Sequence, residues 1–338
     1  MKTTMVVAPG VTQVVDQITP TVGPNDVLVK VRACGICGSD AFLIATGGLP
    51  PHVGAMPLGH EPAGEVVEVG GKLSDVSVGD HVVVNPMGRG RADEIIGCGG
   101  PDGALSEFLL LTDAVKGQHF ESIPHHIPFE VAALNEPLAV ARHAVNQLAP
   151  KPTDKAVVIG AGPIGLGATI ALKLLGVAHV AVADLIPSRL EKALRVGADA
   201  VINSAEQDFG KRLFELHGPG ESIWPGKVDT DIYLDAAGAP AAVTGALANA
   251  KRGAKLGIVA VHKEPVPIDF MDVILNELTI VGAIGYPTEI FEVTKDLNKN
   301  WEKYAVIIDQ TMPFSKVEQA LESTAAAGAG GKVVVTFD

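Results

Sequence analysis

Two textures of apolar spacing divide the chain. Up to residue 150, short runs rich in β-branched residues, DVLVKVRAC (26–34), GEVVEVG (64–70) and DHVVVNP (80–86), are separated by Gly, Asp and Pro. Such runs read as strands punctuated by turns. The first long helical pattern is EVAALNEPLAVARHAVNQL (130–148). From Lys155 on, apolar strands alternate with amphipathic helices, the mark of a parallel sheet covered on both faces. KAVVIG (155–160) predicts a strand and PIGLGATIALKLLG (163–176) a helix closed by Gly176. HVAVAD (179–184) is a second strand, followed by a helix over SRLEKALRVG (188–197) with Ser188 placed to cap it. AVI (200–202), DIYLDAAG (231–238), KLGIVAV (255–261) and ELTIVGAIG (277–285) continue the strands. KVVVTFD (332–338) ends the chain as a strand able to rejoin the first sheet, after a flexible turn expected over AAAGAGG (325–331). The expected fold is α/β: a β domain over 1–150, a doubly wound parallel-sheet domain over 151–285, and a return to the first domain over 286–338. No repeat or low-complexity linker interrupts this layout.

The turn Gly160-Ala161-Gly162-Pro163-Ile164-Gly165 follows a strand and opens a helix. That is the context of a dinucleotide fingerprint, with a tight turn, close backbone approach to a pyrophosphate and close helix–strand packing. Free N–H groups and the dipole at the helix N-terminus favour the phosphates. Asp184 ends the next strand, where a carboxylate accepts hydrogen bonds from the ribose diol and repels the extra phosphate of NADP. NAD is therefore the expected cofactor. Arg189 lies close enough to bear on that choice, although its bland reading is a solvated residue of the next helix. Nothing in this half points to flavin chemistry.

Charge and cysteine count narrow the classes. A net charge of −13 and the absence of a basic run speak against nucleic-acid binding. Three cysteines in 338 residues make no disulfide framework, so a reducing compartment is expected. MKTTMVVAPG has no secretory pattern, and the uncharged AVVIGAGPIGLGATIAL (156–172) is broken by glycines and Pro163, so no membrane segment is expected and the chain reads as cytoplasmic.

The β half carries three groups of metal-ligand residue types: Cys34/Cys37, His60/Glu61 within GHEP, and Glu136 within NEP. Thiolate, imidazole and carboxylate together suit a catalytic zinc with an exchangeable position. Each has a bland alternative. A lone cysteine is commonly a small packed residue, and neighbours on a regular strand point to opposite faces. His60 and Glu61 can share an ion only where the backbone turns, which Gly59 and Pro62 favour.

In order and spacing, CGICGSD (34–40), GHEPAGEVVEVG (59–70), VGDHV (78–82), NEPLAV (135–140), GAGPIG (160–165) and Asp184 resemble the zinc-dependent medium-chain dehydrogenase/reductase family of alcohol, polyol and threonine dehydrogenases. The resemblance runs over nearly the whole chain. It implies a GroES-like β domain and a Rossmann domain, with reaction in the cleft between them. It also implies one catalytic zinc, NAD, a small alcohol substrate and a homodimer or homotetramer; ELTIVGAIG reads equally as an edge strand for pairing or as a strand buried in its own sheet. By position, Cys37 and His60 are the implied ligands, with Glu61 and Glu136 binding directly or through water. Asp40 is the carboxylate that orients the histidine, and Ser39 the hydroxyl that passes the substrate proton outward. Gly160, Gly162, Pro163, Ile164, Gly165, Asp184 and Arg189 form the cofactor set, and Cys34 is packing.

Three departures from the family pattern stand out. The lobe over NPMGRGRADEIIGCGGPDG (85–103) has only Cys98, so a second, structural zinc is not expected. Phe42 replaces a relay histidine, and Leu43 a pocket tyrosine. Both can instead be core residues starting a helix; if they line the pocket they make it less polar than a sugar-alcohol site. The implied reaction is reversible oxidation of a secondary alcohol to a ketone. The rivals are a zinc-free quinone or enone reductase of the same fold and a non-catalytic nucleotide-binding protein.

Overall fold

The computed structural model describes residues 1–48, 55–325 and 331–338. The turn expected over 325–331 therefore falls mostly outside the described residues. Two compact units are present, Met1–Glu136 with Ile290–Asp338, and Pro137–Glu289.

The first unit is built on a seven-stranded sheet. Its strands run in the order Ile308–Pro313, Lys332–Thr336, Val27–Gly35, Glu61–Val69, His81–Val84 and Phe120–Ile123, and Phe108–Leu111 also pairs with Val27–Gly35. The C-terminal strand does rejoin this sheet, antiparallel to Val27–Gly35 through Val334–Gly35, Val335–Cys34 and Thr336–Ala33. Alternation explains the core: Val27, Val29, Val31, Val66, Val82 and Val84 are buried together with Phe120 and Leu43. A nine-residue helix, Gly38–Thr46, follows the Val27–Gly35 strand and ends at Gly47 in the left-handed region, φ 76°.

The second unit is a six-stranded, all-parallel sheet with strand order Ala200–Asn203, His179–Asp184, Lys155–Ile159, Ile232–Asp235, Lys255–Ile258 and Thr279–Gly282. The order reverses between Lys155–Ile159 and Ile232–Asp235, the switch point where such folds bind nucleotides. Thr279–Gly282 is the outermost strand of this sheet. The first seam falls at Glu136/Pro137 rather than near residue 150. The reason is packing within the second unit. A Cβ on Gly167 would lie 3.0 Å from both Ala141 and Leu138, so the helix Asn135–Gln147 presses onto Pro163–Leu174.

Ser188 does not cap its helix. Pro187–Val196 starts one residue earlier, with Ile186 at the cap and Pro187 in the first turn. Asp184 Oδ1 accepts the Leu185 and Ile186 N–H groups instead. No helix among the described residues is long and apolar enough to cross a membrane.

Candidate active site

Cys37 sits at the cap of the Gly38–Thr46 helix. Asp40, three residues on, reaches back so that its Oδ2 accepts the Cys37 N–H at 2.9 Å, which is half of a capping box. Its Oδ1 lies 3.5 Å from His60 Nδ1. One carboxylate thus fixes the start of the helix and faces the imidazole. Gly59, at φ 92°, makes the turn that the His60–Glu61 pair needs before the Glu61–Val69 strand begins. The ligand atoms of Cys37, His60 and Glu61 then lie within 4.8 Å of one another.

A tetrahedral zinc, with bonds of about 2.0–2.3 Å, sets its ligands roughly 3.5 Å apart. The three donors are within reach of that geometry, and their thiolate–imidazole–carboxylate chemistry fits zinc with one position open. His60 Nε2 is 3.3 Å from Ser39 Oγ. Burial lowers the basicity of His60, but the Asp40 carboxylate and Cys37 outweigh it and hold its pKa well above the usual value.

Sequence reading missed Lys332. Its ammonium lies against both carboxylate oxygens of Glu61, bonding Oε1 at 2.5 Å, and also donates to the Ile36 carbonyl at 3.0 Å. Both side chains are buried. Burial lowers the Lys332 pKa, but Glu61 and then Cys37 raise it overall, with a smaller contribution from Glu136. Room for the pair comes from Gly35, which faces Glu61 across the ladder. A Cβ there would meet Glu61 Oε2 at 1.8 Å. Glu61 is thus shared between the metal cluster and Lys332. Glu136 is buried in the first turn of Asn135–Gln147 and acts on Lys332 by charge, but stands outside the three-residue cluster.

Cys34 is fully buried, donates to the Gly35 carbonyl, and is pushed up in pKa by desolvation, as a packed thiol should be. Leu43 requires a correction. It is 1 % exposed inside the core of the first unit, so it packs rather than lines a pocket, while Phe42 stands 58 % exposed.

In the second unit the three glycines of the turn have separate roles. Gly160 takes φ 102° and passes within 2.8 Å of the Ala236 carbonyl carbon, measured from an added Cβ. A Cβ on Gly165 would meet the Gly160 carbonyl oxygen at 1.8 Å, so the helix can close on the turn only without a side chain. Gly162 faces open space at the N-terminus of Pro163–Leu174, where the pyrophosphate of a dinucleotide fits. Ile164 follows in the first turn of that helix. Asp184 Oδ2 accepts the Ala161 N–H at 2.7 Å, and Arg189 Nη1 stands 3.9 Å from the same oxygen. Asp184 therefore clasps the turn itself.

Residues 23–117 match the alcohol dehydrogenase GroES-like domain, and residues 163–300 match the zinc-binding dehydrogenase family. Over 284 residues the chain is 33 % identical to the sorbitol dehydrogenase of Bacillus subtilis (strain 168), covering 79 % of this chain and 77 % of that one. The chain belongs to the zinc-dependent medium-chain dehydrogenase family. It is an oxidoreductase of the alcohol dehydrogenase type. The (R,R)-butanediol dehydrogenase of the same Bacillus strain is also 33 % identical, over 83 % of both chains. Among solved structures, an alcohol dehydrogenase of Escherichia coli CFT073 complexed with NADH superposes with TM-score 0.84 at 27 % identity, covering 100 % of this chain and 99 % of that one. A zinc-binding dehydrogenase of Sinorhizobium meliloti 1021 bound to NADP gives 0.86 at 27 %, covering 99 % and 98 %. Together the family and these neighbours support a zinc and a nicotinamide cofactor for this dehydrogenase.

Proposed function

We propose that this dehydrogenase reversibly oxidises a small secondary alcohol to a ketone, with zinc at Cys37, His60 and Glu61 and NAD as hydride acceptor. The observation that carries this is the convergence of those three ligand atoms beside the Ser39 hydroxyl. Bound zinc supplies Lewis-acid polarisation of the alcohol oxygen. Asp40 orients His60, and Ser39 Oγ takes the hydroxyl proton and hands it outward. Lys332 moderates the charge of Glu61, which would otherwise add a second full anion to the Cys37 thiolate. NAD is favoured over NADP because a 2′-phosphate would be set against the Asp184 carboxylate, which Arg189 at 3.9 Å offsets only in part.

The helix Gly38–Thr46 supports a reading of the substrate class. Ser39 and Phe42 are three residues apart and share a face. An exposed aromatic residue on the helix face that carries Ser39 supports a short diol or a cyclic alcohol over a long polyol, whose hydroxyls would lose hydrogen-bond partners against it. NAD-linked oxidation of butane-2,3-diol, cyclohexanol and sorbitol, before and after zinc chelation, tests both points. The expected result is turnover lost on chelation and restored by zinc, with higher kcat/KM for the first two alcohols. A clear preference for sorbitol would overturn the substrate class. Turnover persisting in fully metal-free protein would point instead to the zinc-free reductase.

A further inference from the structure

The 85–103 lobe contributes a group to the metal corner. Cys98 Sγ lies 3.4 Å from His60 Nδ1, next to Asp40 Oδ1 at 3.5 Å from the same nitrogen. We propose that Cys98 is a positioning residue for the zinc site: its sulfur shares the Nδ1 proton of His60 with Asp40, holding the ring so that Nε2 is the nitrogen left for the metal. The inference rests on the zinc reading above and extends it to a residue outside the ligand set.

The lobe is held for this contact by backbone lying directly on backbone. A Cβ on Gly97 would fall 2.0 Å from the Gly59 carbonyl oxygen, one on Gly59 2.4 Å from Leu105 N, and one on Gly103 2.4 Å from Leu58 O. Ala104 N–H donates to Gly59 O at 2.8 Å, Leu105 N–H to Leu58 O at 2.9 Å, and Gly97 N–H to Asp102 O at 2.7 Å. Residues flanking Cys98 are thus clamped to the segment just before His60, and Ile96 anchors the lobe in the core. Any side chain at these three glycines would push the sulfur away from the ring.

Neither acceptor alone holds Nδ1 tightly. Asp40 Oδ1 is buried with no hydrogen-bond partner of its own among the described residues, and its 3.5 Å approach is long. Thiols are weak acceptors. With Asp40 Oδ1 and Cys98 Sγ on one side of the ring and Ser39 Oγ on the other, the proton is kept on Nδ1. A ligating histidine needs this tautomer, and partners of its second nitrogen are what fix it.

The test compares zinc release from zinc-loaded wild type, Cys98→Ala and Cys98→Ser to a colorimetric chelator, together with the visible spectra of the cobalt-substituted proteins. Loss of such a partner weakens metal binding about 10- to 100-fold, so Cys98→Ala should release zinc roughly tenfold faster, near the low end because Asp40 remains. Cys98→Ser keeps an acceptor and should fall between the two. The sulfur-to-cobalt absorption should be unchanged in both variants, since Cys37 supplies the only bound thiolate. Equal release rates in all three proteins would overturn the inference alone. A halved sulfur-to-cobalt band in Cys98→Ala would also overturn it, by making Cys98 a ligand. Wild type that holds no zinc would overturn the metal reading, and this inference with it.

Discussion

At the metal corner, side chains from widely separated segments meet in a buried place. Cys37 comes from a helix start, His60 and Glu61 from a turn entering a strand, Cys98 from a lobe, and Lys332 from the C-terminal strand, 271 residues from Glu61. At the glycine turn of the second unit almost everything is backbone, six consecutive residues with one carboxylate from the next strand clasping them. The corner answers burial of charge with opposite charge, so removing one partner leaves another stranded. The turn binds charge with amides that must be paired or solvated in any case, and it is sensitive instead to added volume. Chemistry placed by side chains fails through electrostatics, and chemistry placed by backbone fails through sterics.

The largest effect expected from this contrast is at Lys332. In metal-free protein, Lys332→Met should leave Glu61 as an unpaired buried carboxylate and cost about 3–5 kcal/mol of stability in chemical denaturation. Adding Glu61→Gln should recover most of that loss. A single variant within about 1 kcal/mol of wild type would show that the pair is not the desolvated unit described here. Next come the glycines. Gly165→Ala should cost about 1–3 kcal/mol, because its Cβ meets a backbone oxygen that has nowhere to go. Gly162→Ala, facing open space, should change stability by less than about 0.5 kcal/mol. It should nonetheless weaken NADH binding in a fluorescence titration. Equal stability losses at the two positions would remove the distinction drawn between them.

The same contrast governs what could be read from residues alone. The glycine turn was legible because its spacing is local and its strand–turn–helix context can be checked in sequence. The parallel strands, and the return of KVVVTFD to the first sheet, were legible from apolar runs bounded by turns. The metal corner was visible as residue types, but pairing GHEP with CGICGSD depended on family resemblance, since no periodicity links segments so far apart. Lys332 escaped because a lysine opening an apolar strand reads as a solvated end, and its partner lies across a sheet that sequence does not lay out. The helix Gly38–Thr46 was obscured by its continuous apolar tail and by a cysteine at its cap, where Ser, Thr, Asp or Asn is the usual signal. That also explains Leu43: consecutive residues on a helix face different ways, so Phe42 points out while Leu43 enters the core.

The central claim is that the two cysteines of CGICG have unrelated roles, one ligating and one packing. The most direct test is zinc content measured alongside NAD-linked turnover in Cys37→Ser and Cys34→Ser. The expected result is that Cys37→Ser loses both zinc and turnover, while Cys34→Ser retains its zinc and most of its turnover. Equal loss in the two variants, or full zinc in Cys37→Ser, would contradict the account.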